Sequence, residues 1–293
     1  MSEQQTIYKY NFAKQFRRHG TFAVIARRGS GKSVLLLDIL YRIRKRFDFG
    51  IAFTTTTPTA NALAEHMPRA CIFMEFSVDK LKVILDEQEM LISKGKTREI
   101  FVLLDDCGFD GKSMNSKVMR ELFMNGRHKA ITFLCALQYP NALRPDLRQQ
   151  LDTVVALKEN VIPNRKRIHD AFFGCLTWHN FERMFSAFTE NFGAIVIDQT
   201  VQNTEISKVI FHYRAETTLP PFICVNRAYL KIWEMVKKSE EEVMRLRETQ
   251  IEQERKRRLI TAAKESGATP MHVAVRDESD GRRRDGMVVR SLY

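Results

Sequence analysis

One stretch constrains the fold more than any other: Phe22-Ala23-Val24-Ile25-Ala26-Arg27-Arg28-Gly29-Ser30-Gly31-Lys32-Ser33. Phe22 to Ala26 is a short apolar run of the kind found in strands buried on both faces. After the glycine-bearing turn, Val34 to Arg46 places Leu35, Leu36, Ile39, Leu40 and Ile43 at helical spacing. Strand, glycine loop, Gly-Lys-Ser and helix in that order supply the context a P-loop motif requires. Gly29 and Gly31 carry no Cβ, so the backbone N–H groups from Gly29 to Ser33 can close around a triphosphate. The positive end of the following helix adds to that anion site. Lys32 is the side chain for the β- and γ-phosphates, and the Ser33 hydroxyl is a ligand for Mg²⁺. The expected binding loop is therefore Ala26, Arg27, Arg28, Gly29, Ser30, Gly31, Lys32 and Ser33. Ala26 stands where the usual motif has its first glycine, which a negative φ would permit.

The second anchor is Ile100-Phe101-Val102-Leu103-Leu104-Asp105-Asp106, five apolar residues that run straight into two acids. Packing supplies no reason for a buried strand to end in a carboxylate pair, and a Walker B segment does. Asp105 is the expected Mg²⁺ ligand beside Ser33. Asp106 is expected to orient or deprotonate an attacking water. A further strand, Ile131 to Leu137, ends in Gln138, which is placed to sense the γ-phosphate.

The net charge of +12 is unevenly spread. The first fifty residues hold eleven Lys and Arg against three acids, so most of the excess lies there. A basic region this concentrated suits a polyanion, whether nucleotide phosphates or a nucleic-acid backbone. Five widely spaced cysteines argue against a disulfide framework and for reduced, buried thiols. No apolar run is long enough for a membrane span and the N-terminus does not read as a signal peptide.

Residues 1–20 are expected to be a basic N-terminal segment, and 21–225 the nucleotide-binding domain. Within it, further strands are expected near Phe49–Phe53, Cys71–Met74, Val154–Leu157, Ala194–Ile197 and Val209–Tyr213. Helices are expected over Ala60–Glu65, from Ser77 to about Ser93, over Asn115–Met124, and twice within Arg167–Glu190 with Thr177 opening the second. Alternating strands and helices imply an α/β fold with a mostly parallel sheet covered on both faces. Residues 226–266 lack Gly and Pro and carry Glu-to-Lys/Arg steps of four, the pattern of a long charged helix. Residues 267–293 have the composition of a flexible basic tail.

Taken together, Ala26 to Ser33, Leu103-Leu104-Asp105-Asp106, Asn125-Gly126-Arg127-His128 and Gln138-Tyr139-Pro140 with Leu143-Arg144 resemble the viral genome-packaging ATPases of the FtsK–HerA superfamily, as in poxviruses and related large DNA viruses. The resemblance covers about residues 20–215, and the Gly-Arg-His segment before a strand ending in Gln discriminates best. It implies a P-loop NTPase of the additional-strand, catalytic-acid type that hydrolyses ATP with Mg²⁺ to move double-stranded DNA into a capsid. It implies a homo-oligomeric ring in which Arg127 is an arginine finger for a neighbour's nucleotide, with Lys32, Asp106 and Gln138 as the chain's own catalytic residues. It implies a capsid or virion membrane protein as partner, and work in the virion and the viral factory of the host cytoplasm. A nucleotide or nucleoside kinase, and a non-catalytic nucleotide-gated assembly scaffold, remain open at this point.

Overall fold

The computed structural model describes residues 6–106, 111–203, 205–235, 237, 244–245, 248–249, 251–255, 271–273 and 289–291. It divides into two units, Met1–Lys231 and Ile232–Tyr293. In chain order the first unit runs α1 (Phe12–Gln15), β1 (Thr21–Ile25), α2 (Lys32–Ile43), β2 (Phe49–Thr54), α3 (Thr57–Ala64), β3 (Ile72–Phe73), α4 (Val78–Ser93) and β4 (Ile100–Asp105). It continues through α5 (Gly111–Met114), α6 (Lys117–Asn125), β5 (Ile131–Leu137), α7 (Pro145–Arg148), β6 (Thr153–Leu157), α8 (Ile162–Phe172), α9 (Trp178–Phe188), β7 (Gly193–Asp198), α10 (Ile206–Val209) and β8 (Ile210–Arg214).

One sheet takes all eight strands in the order β3-β2-β4-β5-β1-β6-β7-β8. Pairing is parallel from β3 to β6, whereas β7 runs antiparallel to both β6 and β8. β5 lies between β1 and β4, the additional strand that the family resemblance implies. The chain is an α/β protein with the P-loop NTPase fold.

The central strands are apolar throughout because both sheet faces are covered. Along β1, Ala23 and Ile25 pack on one side with Leu81 and Leu85 of α4, Met119 and Leu122 of α6 and Phe181 of α9. Phe22 and Val24 pack on the other with Leu35, Leu36, Ile39 and Leu40 of α2. Hydroxyl caps set several helix starts: Ser77, Ser116 and Thr177 accept from Lys80, Met119 and Asn180 amides. α3 and α8 begin earlier than their apolar spacing suggests, because Pro58 and Pro163 occupy the first turn, where the missing N–H costs nothing.

Residues 6–20 pack against the first unit. Tyr10, Phe12 and Phe16 are buried in the α2-side core, and Tyr10 N–H donates to His212 O (2.9 Å) beside β8. Their aromatic area outweighs the charge of their neighbours, so the segment folds with the first unit. Cys71, Cys135 and Cys224 are buried as expected, but Cys175 is exposed because it lies in the turn between α8 and α9. Cys107 lies outside the described residues.

Of the expected helix over 226–266, residues 227–235, 237, 244–245, 248–249 and 251–255 are helical, and the remaining positions from 236 to 266 lie outside the described residues. The expected flexible tail contains a short antiparallel pair, Met271–Val273 with Val289–Ser291, and is otherwise outside them. Among the described residues no helix is long and apolar enough to cross a membrane.

Candidate functional site

Because β1, β2, β4 and β5 are parallel, their carboxyl ends share one edge of the sheet. That edge gathers the β1–α2 loop, the threonine run after β2, Asp105 and Asp106 after β4, and Gln138 after β5. In open α/β sheets this is the edge where ligands bind.

The β1–α2 loop has the geometry its sequence predicts. Ala26 is buried and its N–H donates to Leu137 O at 2.9 Å, so this position extends the strand rather than turning. Gly29 (φ 78°) and Gly31 (φ 92°) are both left-handed, a region that costs an L side chain roughly 1–2 kcal/mol. Ser30 Oγ closes the turn by donating to Arg27 O (2.6 Å). Gly31 caps α2, and Lys32 and Ser33 open its first turn. Arg27 and Arg28 point into solvent on the rim.

Lys32 bridges the two acids. Its Nζ lies 3.1 Å from Asp105 Oδ1 and 3.5 Å from Asp106 Oδ1. Asp105 is only 1% exposed, and Lys32 sets an opposite charge beside this buried carboxylate. Asp106 has left a strand for a left-handed turn (φ 49°), a conformation Asp tolerates better than most residues. Two contacts hold it there: Thr55 Oγ1 donates to its carbonyl (2.7 Å) and Gln138 Nε2 donates to its Oδ1 (2.6 Å). Ser33 Oγ lies 3.4 Å from Thr59 Oγ1, which also accepts from Thr56 (2.8 Å). The site thus combines a left-handed glycine loop at a helix start, a lysine between two acids, a buried carboxylate, a second carboxylate fixed by an amide, and a shell of hydroxyls. The sequence motifs did not single out Thr55, Thr56 or Thr59 individually; their only signal was a threonine run at a strand end.

Arg127 is elsewhere. It belongs to the short turn Gly126–Lys129 that leads into the amino end of β5. The length of β5 at about 3.3 Å per residue puts it on the order of 20 Å from the Gln138 edge. Among the described residues its exposed side chain has no ion-pair or hydrogen-bond partner. Glu121, the acid nearest in sequence, pairs with Lys129 (3.0 Å) instead, and Glu89 also bonds Lys129.

Part of the amino-terminal basic cluster is structural. Arg18, Arg44, Lys45, Arg46, Asp48 and Glu99 line a cavity of about 500 Å³ at the amino ends of β2 and β4. Within it Arg46 donates to Phe16 O and Ala13 O (both 2.8 Å), tying α1 to the end of α2. Arg18 pairs with Glu99 (2.5 Å), and Arg44 donates to Tyr41 O. Lys45 is exposed and, among the described residues, has no such partner.

No family model matches the chain. Uncharacterized protein L437 of Acanthamoeba polyphaga mimivirus is 29% identical over 206 residues, 67% of this chain and 72% of that protein. Uncharacterized protein 088R of Invertebrate iridescent virus 3 is 26% identical over 193 residues, 66% of this chain and 74% of that one. Among solved structures, the genome packaging NTPase B204 from Sulfolobus turreted icosahedral virus 2, in complex with sulfate, is similar with a TM-score of 0.50 and 13% identity. That match covers 69% of this chain and 98% of B204. The likeness is one of fold, and it agrees with the resemblance drawn from the motifs.

Proposed function

We propose that the chain hydrolyses ATP as one subunit of a homo-oligomeric ring and so drives double-stranded DNA into a viral capsid. One observation carries the reading: Lys32, Asp105, Asp106 and Gln138 converge on the left-handed Gly29–Gly31 loop, with β5 inserted between β1 and β4. The fold likeness to B204, named a genome packaging NTPase, supports packaging as the task. The viral sources of the sequence relatives support a viral assembly setting; this reading places the chain in the virion and viral factory and requires a capsid or virion membrane protein as docking partner.

The residues fit Mg²⁺, since Ser33 and the buried Asp105 offer the hard oxygen donors that ion takes. Bound there, Mg²⁺ supplies neutralisation of charge developing on the phosphate oxygens. Lys32 binds the β- and γ-phosphates, exchanging its carboxylate partners for phosphate oxygens. Asp106 receives the proton of the attacking water, and Gln138, by donating to Oδ1, orients the carboxylate so that Oδ2 faces the nucleophile. Arg127, remote from its own loop and without a partner among the described residues, completes a neighbouring subunit's site with a planar, always charged guanidinium.

The test is ATP hydrolysis with and without double-stranded DNA. A motor is stimulated by DNA, binds it with steep salt dependence and little sequence preference, and loses nucleotide binding or hydrolysis on Lys32→Ala. Phosphoryl transfer to a nucleoside without DNA stimulation would establish a kinase instead. Nucleotide binding with neither activity would leave a scaffold.

A further inference from the structure

Phe192 is the least buried large apolar side chain among the described residues, at 69% exposure. It is also one of two consecutive left-handed residues that are not glycine: Asn191 has φ 50° and Phe192 φ 58°. Asparagine accepts that region readily, and a bulky aromatic does not. Strain of this kind persists where the surroundings over-determine it, and it gathers at ligand sites.

The turn is held from three sides. Thr189 Oγ1 donates to Phe185 O at 2.7 Å, closing the end of α9. Arg214 Nη2 donates to Glu190 O at 3.2 Å from β8. At Gly193 a Cβ would meet Phe188 O at 2.1 Å, so the chain passes too close to α9 for any side chain there. The ring is therefore presented to solvent by a fixed scaffold, with no core of its own to fill.

Its position gives the exposure a meaning. β7 runs antiparallel to β6, so its amino end, where Phe192 stands, lies at the carboxyl edge of the parallel strands. The ring reaches the β1–α2 loop: Phe192 Cδ1 is 3.2 Å from where a Cβ on Gly31 would sit. Lys32 leans the other way, toward Asp105 and Asp106 beyond β5. A triphosphate whose γ end meets those acids must carry its ribose and base off the opposite flank of the loop. That flank belongs to β6 and β7, and Phe192 is the exposed aromatic standing on it.

We infer that Phe192 is the platform on which the nucleotide base stacks. This rests on the nucleotide-binding part of the proposed function and adds where the base lies and how it is held. Every base offers a π face, so a stacking platform tolerates base identity, and the larger purine face gains most. The site then selects its nucleotide chiefly by the triphosphate, with the base contributing affinity more than discrimination.

The experiment compares Mg-ATP with inorganic tripolyphosphate, which has the phosphates and no base, by titration calorimetry on the full chain. Phe192→Ala weakens ATP binding about tenfold and leaves tripolyphosphate binding unchanged, since one stacked base is worth that much. Phe192→Trp keeps ATP affinity, and its added indole fluorescence responds to ATP and not to tripolyphosphate. If Phe192→Ala weakens both ligands equally, the ring only shapes the loop and the inference is overturned. If it strengthens both, the ring blocks the phosphate site and the inference is equally overturned. If the wild type binds both ligands and Phe192→Ala binds ATP as tightly, this inference alone fails. If the wild type binds neither, the proposed function fails with it.

Discussion

At the scale of single residues, two adjacent acids at the site are held in different ways. Asp105 is the last residue of a buried strand, while Asp106 has turned out of it into a left-handed conformation where Thr55 and Gln138 hold it. The two carboxylates are thus held on different backbone conformations, as the proposed split between metal ligand and general base requires. Asp106→Asn keeps the turn, since Asn favours the same region, and leaves Asp105, the proposed metal ligand, in place. Mg-ATP binding should survive in that variant while turnover falls by about 10²–10⁴, as loss of a general base entails; equilibrium binding beside single-turnover hydrolysis measures both. Gln138→Ala removes the amide from Asp106 Oδ1, so kcat should drop, by less than for Asp106→Asn, with KM little changed. Both acids and the glutamine were legible in the sequence, because a charged or polar residue closing an apolar strand has few packing explanations. Their mutual contacts were not, since nothing in the chain order says that Gln138 donates to Asp106.

At the scale of elements, the N-terminal segment shows how charge can mask packing. Lys9, Lys14, Arg17 and Arg18 make residues 6–18 look like a solvated arm, yet Tyr10, Phe12 and Phe16 lie under the sheet. Phe12 meets Phe22 edge to face with centroids 5.7 Å apart, and it meets Tyr213 of β8 at 4.7 Å. Removing residues 1–18 should therefore destabilise the first unit by several kcal/mol, at about 1.5–3 kcal/mol for each buried aromatic. A chemical-denaturation midpoint that does not move would return the segment to the role of an arm. Arg46, in the turn that follows α2, clasps the same segment by donating to the carbonyls of Ala13 and Phe16. Arg46→Ala should lower stability by about 1–3 kcal/mol, the cost of leaving such acceptors unmet. Lys45→Ala, at an exposed neighbour, should leave stability unchanged and weaken DNA binding with a shallower salt slope.

At the scale of the whole molecule, the two functional ends of the sheet face different tasks. The carboxyl edge carries the β1–α2 loop and its acids, while Arg127 stands at the amino edge, where its own loop is out of reach. In the proposed ring, this separation is what would let one subunit complete the next. Arg127→Ala should lower hydrolysis by about 10³–10⁵, as loss of an arginine finger does. Mixing it with Lys32→Ala subunits should restore part of the activity, because some interfaces then hold an intact loop and an intact finger. Normal DNA-stimulated hydrolysis by Arg127→Ala alone would remove that role. Deleting residues 240–293 should spare basal hydrolysis and impair packaging, and loss of nucleotide binding instead would place that segment within the ATPase core. The sequence by itself determined the order of the strands and of the longer helices, the P-loop and the Asp105-Asp106 pair. Those are local signals, carried by apolar runs, by glycines that need positive φ and by acids placed where packing has no use for them. Only the tertiary structure decided that Phe16 and its aromatic neighbours are core, that Arg46 clasps a helix, and that Phe192 meets Gly31 across the strand edge. Each of those contacts joins residues far apart in the chain. The sheet brings them together through the crossing order of β5, β1, β6 and β7, and no local pattern of side chains encodes that order.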